Sequence, residues 1–326
     1  MKITNTSDVS LPLAVWLIDD EYDYIKTDNP YISVTTLMKP IRQILLPERI
    51  PVEQRQSDVV DYIARAMGSS MHTSIERAWT KNYRRSLALL GYPEGMINRV
   101  MINPSDEELD AHPDPIPVYL EQRVLKEFNG WTIGGKFDMV AEGLVQDFKS
   151  TSVWSWVHGT RDEDHVVQGS LYKWLNPDKI TGDFIRINYI FTDWTKMMLA
   201  NTPNYPPRKV MHKDIRLWSV EDTEKWVAAK LNQINKHKNS LEKDIPHCTD
   251  EELWRSDPVF KYYSDPAKAS DPKAKSTKNF PTRREADQYK AEKGKGIVVE
   301  KPGEVKACGY CSGYDACTQK NQYFNI

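Results

Sequence analysis

Two apolar runs, Trp131 to Val140 and Leu144 to Lys149, are joined by the short connection Ala141-Glu142-Gly143. Apolar strand-like runs that meet across so short a glycine-bearing turn fold as a β-hairpin, which commits the middle of the chain to a sheet. Within the first run lies Gly134-Gly135-Lys136-Phe137-Asp138, and nine residues after Asp138 the second run carries Asp147-Phe148-Lys149. Side chains alternate along a strand, so Asp147 and Lys149 share a face while Phe148 points into the opposite, buried one. Neighbouring strands lie roughly 4.8 Å apart, close enough for Asp138 and Asp147 to ligate one ion. Two bare carboxylates at that distance repel and raise one pKa. A divalent cation removes the conflict, with Lys149 beside it to position or activate water.

The flanks extend the pattern. Before the hairpin, Ile63, Met67, Met71, Ile75 and Trp79 recur every four residues, which reads as one buried stripe of a helix spanning Asp58 to Trp79. His72 lies just off that stripe, one turn after Gly68. After the hairpin, Asp164 to Leu175 reads as a helix with Val167, Leu171 and Trp174 toward a core, and it brings Gln168 and Tyr172 together at i and i+4. Phe184 to Asp193 reads as a further strand and Val220 to Lys236 as an amphipathic helix. Strands interleaved with helices in this way predict an α/β core with a central mixed sheet flanked by helices.

The ordered set Gly68-x-x-x-His72, Glu121, Gly135-x-x-Asp138, Asp147-x-Lys149 and Gln168-x-x-x-Tyr172 resembles the RecB-type branch of the PD-(D/E)XK nuclease superfamily, over about Asp58 to Leu175. The resemblance implies a restriction-endonuclease-like core and a metal-dependent nuclease. It implies His72, Asp138 and Asp147 as metal ligands, joined by the backbone carbonyl of Phe148. It casts Lys149 as the catalytic base or water-positioning group, and Gln168 and Tyr172 as supports of the site or contacts to a DNA phosphate. Glu121 stands where such nucleases often carry an acidic residue ahead of the first strand. The metal is Mg²⁺ or Mn²⁺, since imidazole among oxygen ligands suits Mn²⁺ as well.

The chain has 4 cysteines, and three of them form Cys308-x2-Cys311-x5-Cys317 near the C-terminus, with Cys248 upstream. Four thiolates with an internal C-x2-C suit either a structural zinc or a [4Fe-4S] cluster, and spacing alone leaves both open. Disulfides are the alternative outside a reducing compartment. A C-x2-C-x5-C closing the nuclease motifs is similar to the clasp of the iron-sulfur nucleases, among them the AddB helicase-nuclease subunit and the CRISPR adaptation nucleases. That likeness favours iron-sulfur, with Cys248 supplying the fourth ligand. Here the chain departs from the pattern, because the segment Ile32 to Arg42, where those families place their first cysteine, has none.

The net charge is only -2, so no global basic field marks a nucleic-acid binder. Lys268 to Lys295 is locally basic and proline-interrupted, which reads as a solvated loop or as a tether that tracks phosphates. In the second case Lys278, Arg283 and Arg284 contact DNA, and Phe280 and Tyr289 stack on bases. Three parts are expected: residues 1–56 as helices and loops on the core, 57–240 as the nuclease core, and 241–326 as the basic segment and four-cysteine clasp. Lacking a secretory leader or a membrane-spanning stretch, the chain is expected in the cytoplasm, or the host's if viral.

The expected activity is DNA hydrolysis from ends, in recombination, repair or replication of a phage or bacterium. An endonuclease using the same residues is one alternative. A non-catalytic DNA-binding or assembly subunit built on the clasp is the other. No Walker-type loop is present, so unwinding would come from a helicase partner, and a single-strand annealing or recombination partner is a further possibility.

Overall fold

The expected first strand of the hairpin changes sheets partway along. In the computed structural model, which describes residues 2–19, 25–159, 161–271 and 273–324, the run divides into Trp131–Lys136 and Met139–Ala141. The first piece pairs with Arg123–Phe128 and Tyr31–Ser33 in a three-stranded sheet. The second pairs with Leu144–Thr151 and Ile116–Leu120 in a six-stranded one. Both members of this antiparallel pair cross together. Leu120 pairs with Met139 in one sheet, Arg123 with Lys136 in the other, and residues 121–122 and 137–138 form the joint. Glu121 takes up the bend at φ 50, its N–H donating to the Asp138 carbonyl at 3.0 Å. Phe137 plugs the joint from inside, fully buried.

The second strand and its turn match the sequence reading. Ala141 pairs with Leu144, and the two residues between them, Glu142 at φ 51 and Gly143 at φ 74, make the left-handed tight turn that suits the twist of a hairpin. In spatial order the six strands are Val210–Arg216, Phe184–Phe191, Leu144–Thr151, Met139–Ala141, Ile116–Leu120 and Val100–Ile102. The Leu144–Thr151 and Phe184–Phe191 pair is parallel and the Met139–Ala141 neighbours are antiparallel, so the sheet is mixed. This is an α/β fold with a central mixed sheet flanked by helices.

Each face of that sheet has its own cover. On one, the helix Asp162–Leu175 packs on Ile185 and Leu217 through Gly169, where a Cβ would sit 2.9 Å from Ile185 Cβ and 2.6 Å from Leu217 Cδ2. On the other, Trp79, Tyr83 and Leu87 pack on Val100, Val118, Leu120 and Met139, with Phe148 beside them. Trp79 belongs to the helix Ile63–Lys81, whose expected buried stripe does not hold. Ile63 is 47% and Met67 52% exposed, while Ala66 is buried. A spacing of four advances about 40° further than one turn at each step, so five such residues sweep roughly 160° of surface and cannot all face one strip.

The chain clusters into two units, Met1–Lys39 with Pro51–Gln233, and Pro40–Ile50 with Ile234–Ile326. In the second, Lys278–Phe280, Val259–Tyr263 and Ile297–Lys301 form a three-stranded antiparallel sheet, with the helix Arg283–Lys293 packed on it. Thr282 caps the helix by accepting a hydrogen bond from the Glu285 N–H, and Gly294 ends it at φ 66. This corrects the reading of 268–295 as a solvated loop. Phe280 is buried with Phe260, Tyr262 and Ala286, and Tyr289 packs against that cluster, so neither ring is displayed for stacking. The short strand and mostly polar helix give too few apolar repeats for periodicity to register. No described helix is long and apolar enough to cross a membrane.

Candidate active site

The joint between the sheets gathers the acidic residues. Asp138 Oδ2 accepts a hydrogen bond from the Phe148 N–H at 3.0 Å, and Asp138 Oδ1 lies 3.4 Å from His72 Nδ1. Glu121 Oε1 approaches the same nitrogen at 3.9 Å. His72, Glu121 and Asp138 each offer one ligand atom such that all lie within 4.8 Å of one another. The other ring nitrogen, Nε2, is 3.2 Å from the Phe148 carbonyl oxygen. In the tautomer that donates to that carbonyl, the Nδ1 lone pair faces the two acids.

Asp147 is held by different partners. It is 1% exposed, on the strand face opposite Phe148, as alternation requires. Its Oδ1 accepts a hydrogen bond from Gln168 Nε2 at 3.0 Å, and Oδ2 is ion-paired with Lys149 Nζ at 2.7 Å but receives no aligned hydrogen bond. Gln168 Nε2 also reaches the Tyr172 hydroxyl at 3.2 Å. Tyr172 is buried, and its phenol is held far above the usual value, first by burial and then by the Asp147 charge.

These environments set the charge balance. Burial, then the charge of Asp147, pushes the Asp138 carboxyl well above the ordinary carboxylate value, against the pull of His72, the Phe148 amide and Lys149. Asp138 resists ionising, and Glu121 faces the same imidazole nitrogen that Asp138 does. The donor set fits a hard or borderline divalent cation. His72, Glu121 and Asp138 would hold it, with Asp147 and the Phe148 carbonyl adjoining.

The structure therefore brings His72, Glu121, Asp138, Asp147, Phe148, Lys149, Gln168 and Tyr172 into one neighbourhood. Nothing requires glycine at position 68, where an added Cβ meets no atom within 4 Å. Lys278, Arg283 and Arg284 lie in the other unit. Lys278 Nζ sits 4.7 Å from the Tyr289 ring centroid, Arg283 pairs with Asp287 at 3.0 Å, and Arg284 is exposed.

Two residues at the site escaped the sequence reading. His165 is 5% exposed, packs edge-on against Tyr189, and has an Nδ1 with no partner among the described residues. Burial, then the Lys149 charge, lowers its pKa. Its position at i−3 from Gln168 on the same helix was the available signal. Lys136 Nζ lies 2.6 Å from Glu121 Oε2, a cross-strand contact with no local signature.

In the second unit all four cysteines, Cys248, Cys308, Cys311 and Cys317, line one pocket. Burial, then the Glu252 and Cys317 charges, pushes the Cys248 thiol up to about 12, and burial followed by Cys311 and Cys317 raises Cys308. A bound cation would favour ionisation of these two thiols. The cysteine-free segment contributes Arg42 instead, a buried guanidinium that is ion-paired with Glu242 and donates to Cys317 Sγ at 3.4 Å.

No protein family matches the chain, and no characterised protein matches it as a relative. Among solved structures it is similar to one described as the crystal structure of SSO0001, at 15% identity over 68% of this chain and 85% of that one, with a TM-score of 0.39. It is also similar to a phage related exonuclease from Haemophilus somnus 129PT, at 12% identity over 67% and 97%, with a TM-score of 0.30. Folds host many chemistries, so function is argued from the site. The fold and site define an α/β protein with a histidine-bearing acidic centre suited to a divalent cation.

Proposed function

We propose that the chain is a divalent-metal-dependent deoxyribonuclease with a PD-(D/E)XK-type core of the RecB branch, acting as an exonuclease on DNA ends in recombination, repair or replication. The observation that carries this reading is the convergence of His72, Glu121 and Asp138 within 4.8 Å, beside the ion-paired Asp147 and Lys149. Mg²⁺ or Mn²⁺ supplies the positive charge that phosphodiester hydrolysis needs at the scissile phosphate. Lys149 holds the attacking water, with its ammonium anchored by Asp147. Gln168 fixes the Asp147 carboxylate, and the Tyr172 hydroxyl, kept neutral by burial, braces Gln168. Lys278, Arg283 and Arg284 bind DNA phosphate. Because Tyr289 sits beneath the Lys278 ammonium, this contact follows the backbone and does not stack on bases.

The cysteine pocket holds a structural [4Fe-4S] cluster in this reading. The gathering of all four cysteines around one pocket supports this reading. The protein works in a cytoplasm, with a helicase or annealing partner to supply unwound ends.

The test is cleavage of linear DNA beside the same DNA as a closed circle, with Mn²⁺, Mg²⁺ or EDTA. Metal-dependent loss of the linear form alone is the expected result. Equal cutting of the circle makes the chain an endonuclease. Binding without cutting of either form favours the assembly-subunit reading built on the cysteine pocket.

A further inference from the structure

Lys136 ends its strand at the joint, two residues before Asp138 and 46% exposed. Its Nζ lies 2.6 Å from Glu121 Oε2, while Glu121 Oε1 faces His72 Nδ1 at 3.9 Å. One oxygen of the carboxylate is thus held by an ammonium and the other is turned toward the donor group. The backbone enforces this placement. Arg123 pairs with Lys136, the Phe137 N–H donates to the Gln122 carbonyl at 3.3 Å, and the Glu121 N–H donates to the Asp138 carbonyl at 3.0 Å. Glu121 itself sits at φ 50, a conformation that a residue with a side chain adopts only when its surroundings require it.

We propose that Lys136 is a positioning residue whose ammonium fixes the Glu121 carboxylate, so that Oε1 is presented to a divalent cation together with His72 and Asp138. This rests on the metal-site reading above. Two effects of the ammonium oppose each other. It repels a nearby dication, and it removes the rotamer freedom that Glu121 would otherwise lose on binding one. Lys136 is half in water, where repulsion between charges is strongly screened. Fixing the ligand is not screened, and the residue that anchors a metal-binding carboxylate is commonly worth about 10–100-fold in metal affinity. Orientation therefore prevails.

The test is Mn²⁺ binding to the full-length protein without DNA, by calorimetry and by the electron paramagnetic resonance of free Mn²⁺. Wild type is compared with Lys136→Met, Lys136→Arg, Glu121→Gln, Asp138→Asn and the Lys136→Met/Glu121→Gln double variant. Lys136→Met should weaken binding about 10-fold or more, and Lys136→Arg should recover most of the loss. In the Glu121→Gln background, Lys136→Met should have no further effect, because the ammonium acts through that carboxylate. Unchanged or tighter binding by Lys136→Met overturns the proposal, as does a loss of equal size in both backgrounds. Failure of the metal-site reading has a different signature: wild type that binds no Mn²⁺, or binding that Asp138→Asn leaves intact. Exposed as it is, Lys136 can be replaced without unfolding the chain, which a thermal melt of each variant checks.

Discussion

At the scale of single residues, Asp138 couples the site to stability. Its carboxyl is raised in the folded chain, first by burial and then by Asp147. Between the ordinary carboxylate value and the raised one, the folded protein keeps a proton that the unfolded chain has released. Stability therefore falls as pH rises through that window. Metal-free wild type should melt at progressively lower temperature between about pH 4 and about pH 7, each pKa unit of elevation corresponding to roughly 1.4 kcal/mol and a few degrees of Tm. Asp138→Asn should remove this slope and melt higher than wild type at the alkaline end, because the amide can still accept from the Phe148 N–H. A slope that survives in the variant would assign the effect elsewhere. Alternation along one strand put Asp147 and Lys149 on one face, and helical spacing put Gln168 beside Tyr172, but only the resemblance joined these residues to His72 and Asp138 as one site. Lys136 was not legible, because its contact with Glu121 is made by a ladder between strands that leaves no trace in local spacing.

Among the elements, the joint between sheets was the least legible feature. Alternation continues across residues 131 to 140 in the sequence, and only the pairing partners reveal that the strand changes sheets at Phe137 and Asp138. The helices carry clearer consequences. Gly169 and Gly68 both lie inside helices, yet an added Cβ at Gly169 would crowd Ile185 at 2.9 Å, and at Gly68 it would meet nothing within 4 Å. The same substitution should therefore have opposite effects. Gly169→Ala should destabilise by roughly 1–3 kcal/mol through overpacking of the helix on the sheet. Gly68→Ala should be neutral or stabilise by up to about 1 kcal/mol through helix propensity alone. Urea denaturation of the two variants checks the signs. Destabilisation by Gly68→Ala would mean that the glycine serves the site in a way its open surroundings do not reveal.

Across the whole molecule, the α/β class and three strands of the mixed sheet were legible from apolar runs, whereas Val100–Ile102, Ile116–Leu120 and Val210–Arg216 and the true buried face of the Ile63–Lys81 helix were not. The C-terminal sheet and helix were not legible either, because a three-residue strand and a helix with one buried alanine carry little hydrophobic signal. The four cysteines were legible as a set from type and spacing. Their shared pocket depends on a fold that returns Cys248 to the C-terminal trio, with Arg42 brought in from far upstream. The central claim is that the acidic centre cleaves DNA with a divalent cation, and the most direct test is single-turnover hydrolysis of end-labelled linear DNA with Mn²⁺ by wild type and Asp147→Asn. Asparagine keeps the size of the buried group and an acceptor for Gln168 while removing the charge beside Lys149. The account predicts a variant that folds and binds DNA like wild type but cleaves at least about 10³-fold more slowly, the order of loss expected when an electrostatic group of a hydrolytic site is removed. Cleavage by Asp147→Asn at the wild-type rate would contradict it.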